Sequence, residues 1–277
     1  MTVFNSFLLG ILQGLTEFIP VSSTAHLLIA QKLLGIQSGD AVFGFLVLVQ
    51  MGTLVSLIVF FWKNLLSIVK AFFASLIHLR SLQNFGSLSL EARLAWFILI
   101  ATIPALLAGY LLKDAVEALF KTPLLEAAIR LFTAAILLAA AEYFGKRDRD
   151  LRSMNWLDAL IVGLFQAISV FPGASRSGTT ISGGMLRGFD RPTAARFAFL
   201  MSIPVMLAAG AYEMLAVVQM PDRIELLPAL ALGFVSAAIF GWLAIKWLIG
   251  YLSKHSLYVF AGYCTILGLV VVLVSML

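Results

Sequence analysis

Polar residues are scarce along this chain, and the apolar stretches between them set its architecture. Six long apolar runs lie at roughly 41–62, 94–112, 124–143, 194–217, 227–248 and 256–276. A helix of about 20 residues rises about 1.5 Å per residue and so crosses a hydrocarbon core of about 30 Å. Two shorter apolar stretches behave differently. Residues 1–16 are too few to span, and Pro20 breaks the helix soon after. Ser22, Ser23 and Thr24 can cap a second short helix, roughly 24–34, that ends at Gly35. A second short pair, about 156–169 and 179–187, flanks the turn PGASRSG. Each pair reads as a re-entrant hairpin. Non-helical backbone at membrane depth survives only where it is buried in protein or lines a polar cavity. Asp40 and Pro123 are expected helix-start residues.

The order is therefore hairpin plus three spans, twice. GILQGLTEFIPVSSTAH (Gly10–His26) and GLFQAISVFPGASRSGTT (Gly163–Thr180) look like distant copies. Both open on Gly-x-x-Gln and run to a Pro followed by hydroxyls. Gln13 and Gln166 lie 153 residues apart, as do the span starts at 41 and 194; the offset becomes 133 for the third span, 124 to 257, because the expected 63–93 loop is longer in the first half. The fold class expected is an all-α polytopic membrane protein with six transmembrane helices and two re-entrant hairpins. It forms one membrane domain, 1–277, with a first repeat at 1–145 and a second at 153–277. Three crossings reverse the chain, so the second repeat has inverted topology and the site lies where the broken helices meet.

Composition agrees: 61% of residues are hydrophobic and only 12% charged, against about 25% charged in soluble domains. The net charge of +5 reports topology rather than nucleic-acid binding. With the N-terminus outside, the inside segments hold 13 Lys and Arg and the outside segments 4. Both termini are thus expected outside, the first hairpin dipping from the outer face and the second rising from the cytoplasm. The single cysteine, Cys264, rules out an intrachain disulfide and a Cys-rich metal site. MTVFNSFLLGILQG has no basic n-region, so no cleaved signal peptide is expected.

The chemistry concentrates in the two turns. PGASRSG offers a Gly-rich turn with Gly173, Ser175, Arg176 and Ser177, followed by Thr179 and Thr180 at a helix start. Free N–H groups, the helix dipole and a guanidinium fork suit a phosphate there. The plainer reading is a buried Arg paired with an acid. In the first turn, Gln13 and Glu17 share a helix face, and Ser23 and His26 are three apart. A hydroxyl beside a general base suits nucleophilic attack. A carboxylate can orient the imidazole or hold a divalent cation. The plainer readings here are a capping Ser and a His satisfied by a carbonyl. Gln50, deep in the first span, packs against the site or bonds another helix. Glu126 and Arg130 read as an i,i+4 pair, Glu142 and Glu213 as interfacial, and KRDRD (146–150) as a solvated loop. His78 and His255 fall in loops, and no Walker, Rossmann or zinc spacing is present.

These residues carry a family resemblance. QGLTEFIPVSSTAH resembles the Glu/Gln-x-x-x-Glu…Pro-Val-Ser-Ser-Thr-x-His signature of the bacterial undecaprenyl-diphosphate phosphatases, the family linked to bacitracin resistance. PGASRSGTTISGGM resembles that family's second signature, Pro-Gly-x-Ser-Arg-Ser-x-x-Thr. The resemblance covers essentially the whole chain. It implies hydrolysis of the C55 polyprenyl diphosphate to the monophosphate, recycling the carrier lipid for cell-wall synthesis in the bacterial inner membrane. It implies roles for Glu17, Ser23, His26, Arg176, Ser175, Ser177 and Thr180. Taken with the reading of the residues themselves, Glu17, Ser23, His26 and Arg176 are the expected catalytic set, and Gln13, Ser22, Thr24, Gly173, Ser175, Ser177, Thr180 and Gln50 the expected substrate contacts. The resemblance further implies a divalent cation, Mg2+ or Ca2+, at Glu17, and a site open to the outer face. Many members have Glu where this chain has Gln13, so a mechanism with two carboxylates on the cation departs from this sequence. The partners expected are the lipid diphosphate and the bilayer, with no nucleic acid; a homodimer is compatible with the sequence.

The expected mechanism has the 173–180 turn hold the diphosphate while Ser23 attacks the terminal phosphorus with His26 as base. The alternative is direct attack by water. A different class of function is polyprenyl-phosphate transport through the same anion site, since inverted repeats with broken helices also build transporters. A carrier has no need of Ser23, His26 and Glu17 together. A phosphatidic-acid-phosphatase type of enzyme is rejected, because no His follows from Ser175 through Thr193.

Overall fold

The computed structural model describes residues 2–37, 39–77, 87–112, 123–170, 174–219 and 223–276. Among them the chain forms eleven α-helices and no strand. These are α1 (Val3–Phe18), α2 (Ser23–Leu33), α3 (Asp40–Phe60), α4 (Trp62–Ile77), α5 (Leu90–Leu111) and α6 (Pro123–Phe144). They are followed by α7 (Trp156–Ile168), α8 (Arg176–Leu186), α9 (Arg191–Val218), α10 (Arg223–Leu252) and α11 (Tyr258–Met276). Six stretches are long and apolar enough to cross a membrane: Val42–Phe60, Leu90–Leu111, Pro123–Phe144, Arg191–Leu215, Leu227–Leu252 and Tyr258–Met276. Asp40 and Pro123 open their helices as expected.

Local chemistry sets the broken segments. α1 ends at Phe18 because Pro20 has no N–H to continue it. Ser22 caps α2 with its hydroxyl on the Ala25 N–H at 3.4 Å. Its φ of 69° is a left-handed conformation that non-glycine residues seldom adopt, the kind of strain often held at functional turns. α2 stops at Gly35, whose φ of 65° lets its N–H turn back to the Lys32 carbonyl at 3.3 Å. In the second pair, Asn155 and Asp158 form a reciprocal capping box at the start of α7. Ser175 caps α8.

Two expectations fail. The 63–93 stretch is not simply a loop, because α4 follows α3 after one residue. Lys63, Asn64, Ser67 and Lys70 interrupt the apolar run, yet Leu65, Ile68 and Phe72 recur at helical spacing and pack into the core. The Phe72 ring lies 5.2 Å from Trp96 of α5. Nor is KRDRD a free solvated loop. Arg149 pairs with buried Asp158 at 2.6 Å and lies over the Phe189 ring at 4.7 Å. Arg147 pairs at 2.6 Å with buried Glu142, which also accepts from Arg191 Nε at 2.7 Å and the Leu257 N–H at 3.0 Å. The hydrogen bond to Asp158 raises the Arg149 guanidinium further above its already high value.

The packing brings the short helices together. α1 lies on α10, and α7 lies on α5. Each contact depends on a glycine: a Cβ at Gly10 would fall 2.5 Å from the Gly233 carbonyl, and one at Gly163 would fall 2.6 Å from the Ala101 carbonyl. α2 and α8 both pack against α6, and α6 packs against α11. The turn after α1 and the turn before α8 therefore meet in one place.

Candidate active site

The Glu17 carboxylate is the meeting point. Gln13, one turn earlier on α1, donates from Nε2 to Glu17 Oε2 at 2.9 Å. Ser23, the first residue of α2, donates from Oγ to the same oxygen at 2.5 Å. Arg176, the first residue of α8, donates from Nη2 to Glu17 Oε1 at 2.5 Å. Ser177 strengthens this junction, its hydroxyl donating to the Ile19 carbonyl at 3.4 Å. Gln13 and Glu17 are buried, while Ser23 and Arg176 are half-buried. An ion pair at this depth is held by further hydrogen bonds rather than by Coulomb attraction alone.

His26 is placed differently from expectation. Its Nδ1 lies 2.8 Å from the Ser22 carbonyl, and its Nε2 lies 2.7 Å from the Tyr263 hydroxyl of α11. It shares no hydrogen bond with Ser23, whose hydroxyl is taken by Glu17. The reason is helical: the α2 start turns the Ser23 side chain toward α1, while the imidazole reaches back over its own cap. A carbonyl only accepts, so Nδ1 carries the proton and Nε2 is the nitrogen free to exchange one.

The other expected contacts divide. Ser175 sits at the α8 start with its hydroxyl accepting from the Gly178 N–H at 3.3 Å. Thr180 turns its hydroxyl onto the Arg176 carbonyl at 2.8 Å, as Thr179 does at 2.9 Å, so both brace α8. Ser22 is buried as the α2 cap, and Thr24 is exposed beside Ser23. Gln50 is half-buried on α3, and among the described residues no side-chain hydrogen bond draws it into the cluster. Gly173 lies outside the described residues.

Two contributors were not legible as site residues. Arg130 was read as half of a local pair, and its Nε does bind Glu126 at 2.8 Å. Its Nη1 also donates to the Ala174 carbonyl at 2.9 Å, fixing the residue before the Ser175 cap. Tyr263 sits in an unbroken apolar run with nothing to mark it. A charged residue inside a span is the one signal that pointed to Arg130.

The donor set suits a hard divalent cation. Gln13 Oε1 is buried and has no hydrogen-bond partner among the described residues, while Nε2 of the same amide binds the Glu17 carboxylate. Among the described residues no three His, Cys, Asp or Glu side chains converge into a full cage. One carboxylate and a buried amide oxygen are the kind of partial donor set from which Mg2+ is shared between protein and substrate oxygens. Glu17 cancels Arg176, and Glu126 cancels Arg130, so a diphosphate arriving here meets little net positive charge without a cation.

Comparison with known proteins identifies the family. The family described as bacitracin resistance protein BacA matches residues 6–270 of the chain. An undecaprenyl-diphosphatase of Methanosphaera stadtmanae is 38% identical over 279 residues, covering 99% of both chains. One from Desulforudis audaxviator is 38% identical over 100% of this chain and 99% of its own. One from Thermomicrobium roseum is 39% identical over 99% of this chain and 98% of its own.

Proposed function

We propose that this chain, which belongs to the bacitracin resistance protein BacA family, hydrolyses undecaprenyl diphosphate to undecaprenyl phosphate and inorganic phosphate. It is a multi-pass membrane phosphatase acting on a lipid diphosphate. The observation that carries this reading is the convergence of Ser23, Glu17 and Arg176, drawn from segments 159 residues apart. The relatives bear the name of a hydrolase, and nothing in the comparison supports transport as the primary activity.

The proposed mechanism starts with exchange at Arg176. The terminal phosphate takes the guanidinium from Glu17, and the α8 N-terminus adds its dipole. Ser23 Oγ attacks the terminal phosphorus. Its proton passes to Glu17 Oε2, the oxygen it already touches at 2.5 Å. The bridging P–O bond breaks, and undecaprenyl phosphate leaves. Water then attacks the phosphoserine phosphorus, giving its proton to His26 Nε2. The Ser23 O–P bond breaks as Glu17 returns its proton to the Ser23 oxygen, inorganic phosphate leaves, and His26 releases its proton to solvent. Gln13 and Glu17 would hold the divalent cation, which neutralises phosphate charge when bound. Phosphoryl transfer needs little more than positioning and charge neutralisation.

This reading includes the inverted arrangement, with both termini outside the bacterial inner membrane and the site open to the outer face. The distribution of Lys and Arg supports it, as does the matching use of Gly10 and Gly163 at the α1–α10 and α7–α5 contacts. The product is the carrier lipid returned for cell-wall polysaccharide synthesis.

Ser23→Ala in purified, folded protein tests the covalent step. Phosphate release from C55 diphosphate in detergent should be lost, and acid quench of the native enzyme should trap phosphoserine at Ser23. Near-normal release by the variant eliminates the covalent route in favour of direct attack by water. Detergent offers no second compartment, so activity there is hydrolysis.

A further inference from the structure

We infer that Tyr263 is a positioning residue for the reaction, holding His26 by its reactive nitrogen. The inference rests on the reading of His26 as the acid–base group of the second step. Three observations carry it. First, both imidazole nitrogens are held, and by chemically different groups. The Ser22 carbonyl at 2.8 Å admits only Nδ1–H, so a neutral ring must accept the Tyr263 O–H at Nε2, 2.7 Å away. When Nε2 gains a proton, the bond reverses, because a phenol oxygen both donates and accepts. The contact therefore survives both protonation states and keeps the ring in place through a catalytic cycle.

Second, the two rings are nearly parallel, 6° apart with centroids at 5.7 Å. The hydroxyl and the ring plane together set the direction in which Nε2 points. Third, α11 is seated on the first turn at two consecutive residues. The buried Cys264 thiol lies 4.0 Å from the Pro20 carbonyl, so α11 passes beside the first turn next to where Tyr263 meets His26. Tyr263 is itself 46% exposed. Its ring is not enclosed in the core, and its hydroxyl is engaged by His26.

The hydroxyl acts only through His26, in the manner of the outer partners that orient ligating or catalytic imidazoles. Loss of such a partner typically lowers function about 10–100-fold. Tyr263→Phe keeps the ring and removes the bond. Its kcat for C55 diphosphate should fall by about tenfold or more, with KM within about twofold and thermal stability close to the native protein's. The double variant His26→Asn with Tyr263→Phe should be no slower than His26→Asn alone, because residues acting as one unit do not add. The chain has three histidines, so 15N-histidine spectra are simple, and His26→Asn identifies the His26 signals by their loss. In Tyr263→Phe the Nε2 signal should move, as the nitrogen loses its donor.

An unchanged kcat in Tyr263→Phe, or an unmoved Nε2 signal, overturns the inference. Additive losses in the double variant also overturn it, since Tyr263 would then act by another route. Normal hydrolysis by His26→Asn strikes instead at the role of His26. An inactive His26→Asn beside a fully active Tyr263→Phe removes only the inference about Tyr263.

Discussion

Arg176 Nη2 donates to Glu17 Oε1 at 2.5 Å, although 159 residues separate them. The guanidinium suited to phosphate is thus covered by the carboxylate that also holds Ser23. Substrate binding has to exchange one anion for another on the same cation. Glu17→Gln should therefore split the kinetic constants. With Arg176 released, KM measured at saturating cation should stay level or fall, while kcat should drop about 10²–10⁴-fold because the proton acceptor for Ser23 is gone. Arg176→Met should do the reverse, raising KM strongly. Steady-state phosphate release measures both, and equal effects on KM from the two variants would contradict the exchange.

Arg130 is held by Glu126 at 2.8 Å and holds the Ala174 carbonyl at 2.9 Å. Arg130→Met leaves Glu126 as a buried, uncompensated acid, which typically costs about 3–5 kcal/mol. The paired change Glu126→Gln with Arg130→Met should recover most of that stability. It should not recover activity, because the Ala174 carbonyl still lacks its donor and the Ser175 cap and Arg176 lose their register. Thermal unfolding in detergent, set beside kcat, separates the two effects. Full activity in the paired variant would confine Arg130 to stability.

Gln13 Oε1 is buried beside Glu17 with no partner among the described residues. If these oxygens hold the cation, chelation should abolish phosphate release and added Mg2+ or Ca2+ should restore it. Gln13→Glu supplies a second carboxylate. It should reach half-maximal activity at a lower cation concentration, by about tenfold for each 1.4 kcal/mol of added binding. Titration of activity against free cation after chelation measures this. An unchanged midpoint would remove Gln13 from the cation site.

Asp158 anchors the 145–155 segment. Burial pushes its carboxyl up, but hydrogen bonds from Arg149, the Asn155 N–H and Arg187 outweigh burial and hold it below the usual carboxylate range. The folded value is thus lower than the unfolded one. Its contribution to stability is complete above the unfolded value of about 3.9 and is lost as pH falls through the folded value. The melting temperature of the native protein should exceed that of Asp158→Asn by a constant margin from about pH 8 to about pH 5, and the margin should close below about pH 4. A margin that persists undiminished in acid would show that the ion pair is not its source.

The spans, the broken segments and the two hydroxyl turns could be read from the chain in order. Each depends on a local pattern: the length of an apolar run, a Pro without an N–H, a Ser before a helix. α4 escaped that reading because its lysines break the apolar run, and only the packing of Ile68 and Phe72 shows which face is buried. KRDRD escaped it because charge reads as solvation until Asp158 and Glu142 are known to be in reach.

The candidate site divides along the same line. Residue types and spacing pointed to Glu17, Ser23, His26 and Arg176, since intramembrane polar residues are costly enough to mark function. Their pairing was decided only by tertiary structure. Spacing placed Ser23 beside His26, whereas helix packing turned Ser23 to Glu17 and left His26 to Tyr263. Arg130 and Tyr263 joined the site through contacts with residues 44 and 237 positions away. A linear pattern records which side chains a helix can offer, and packing against distant segments settles which of them meet.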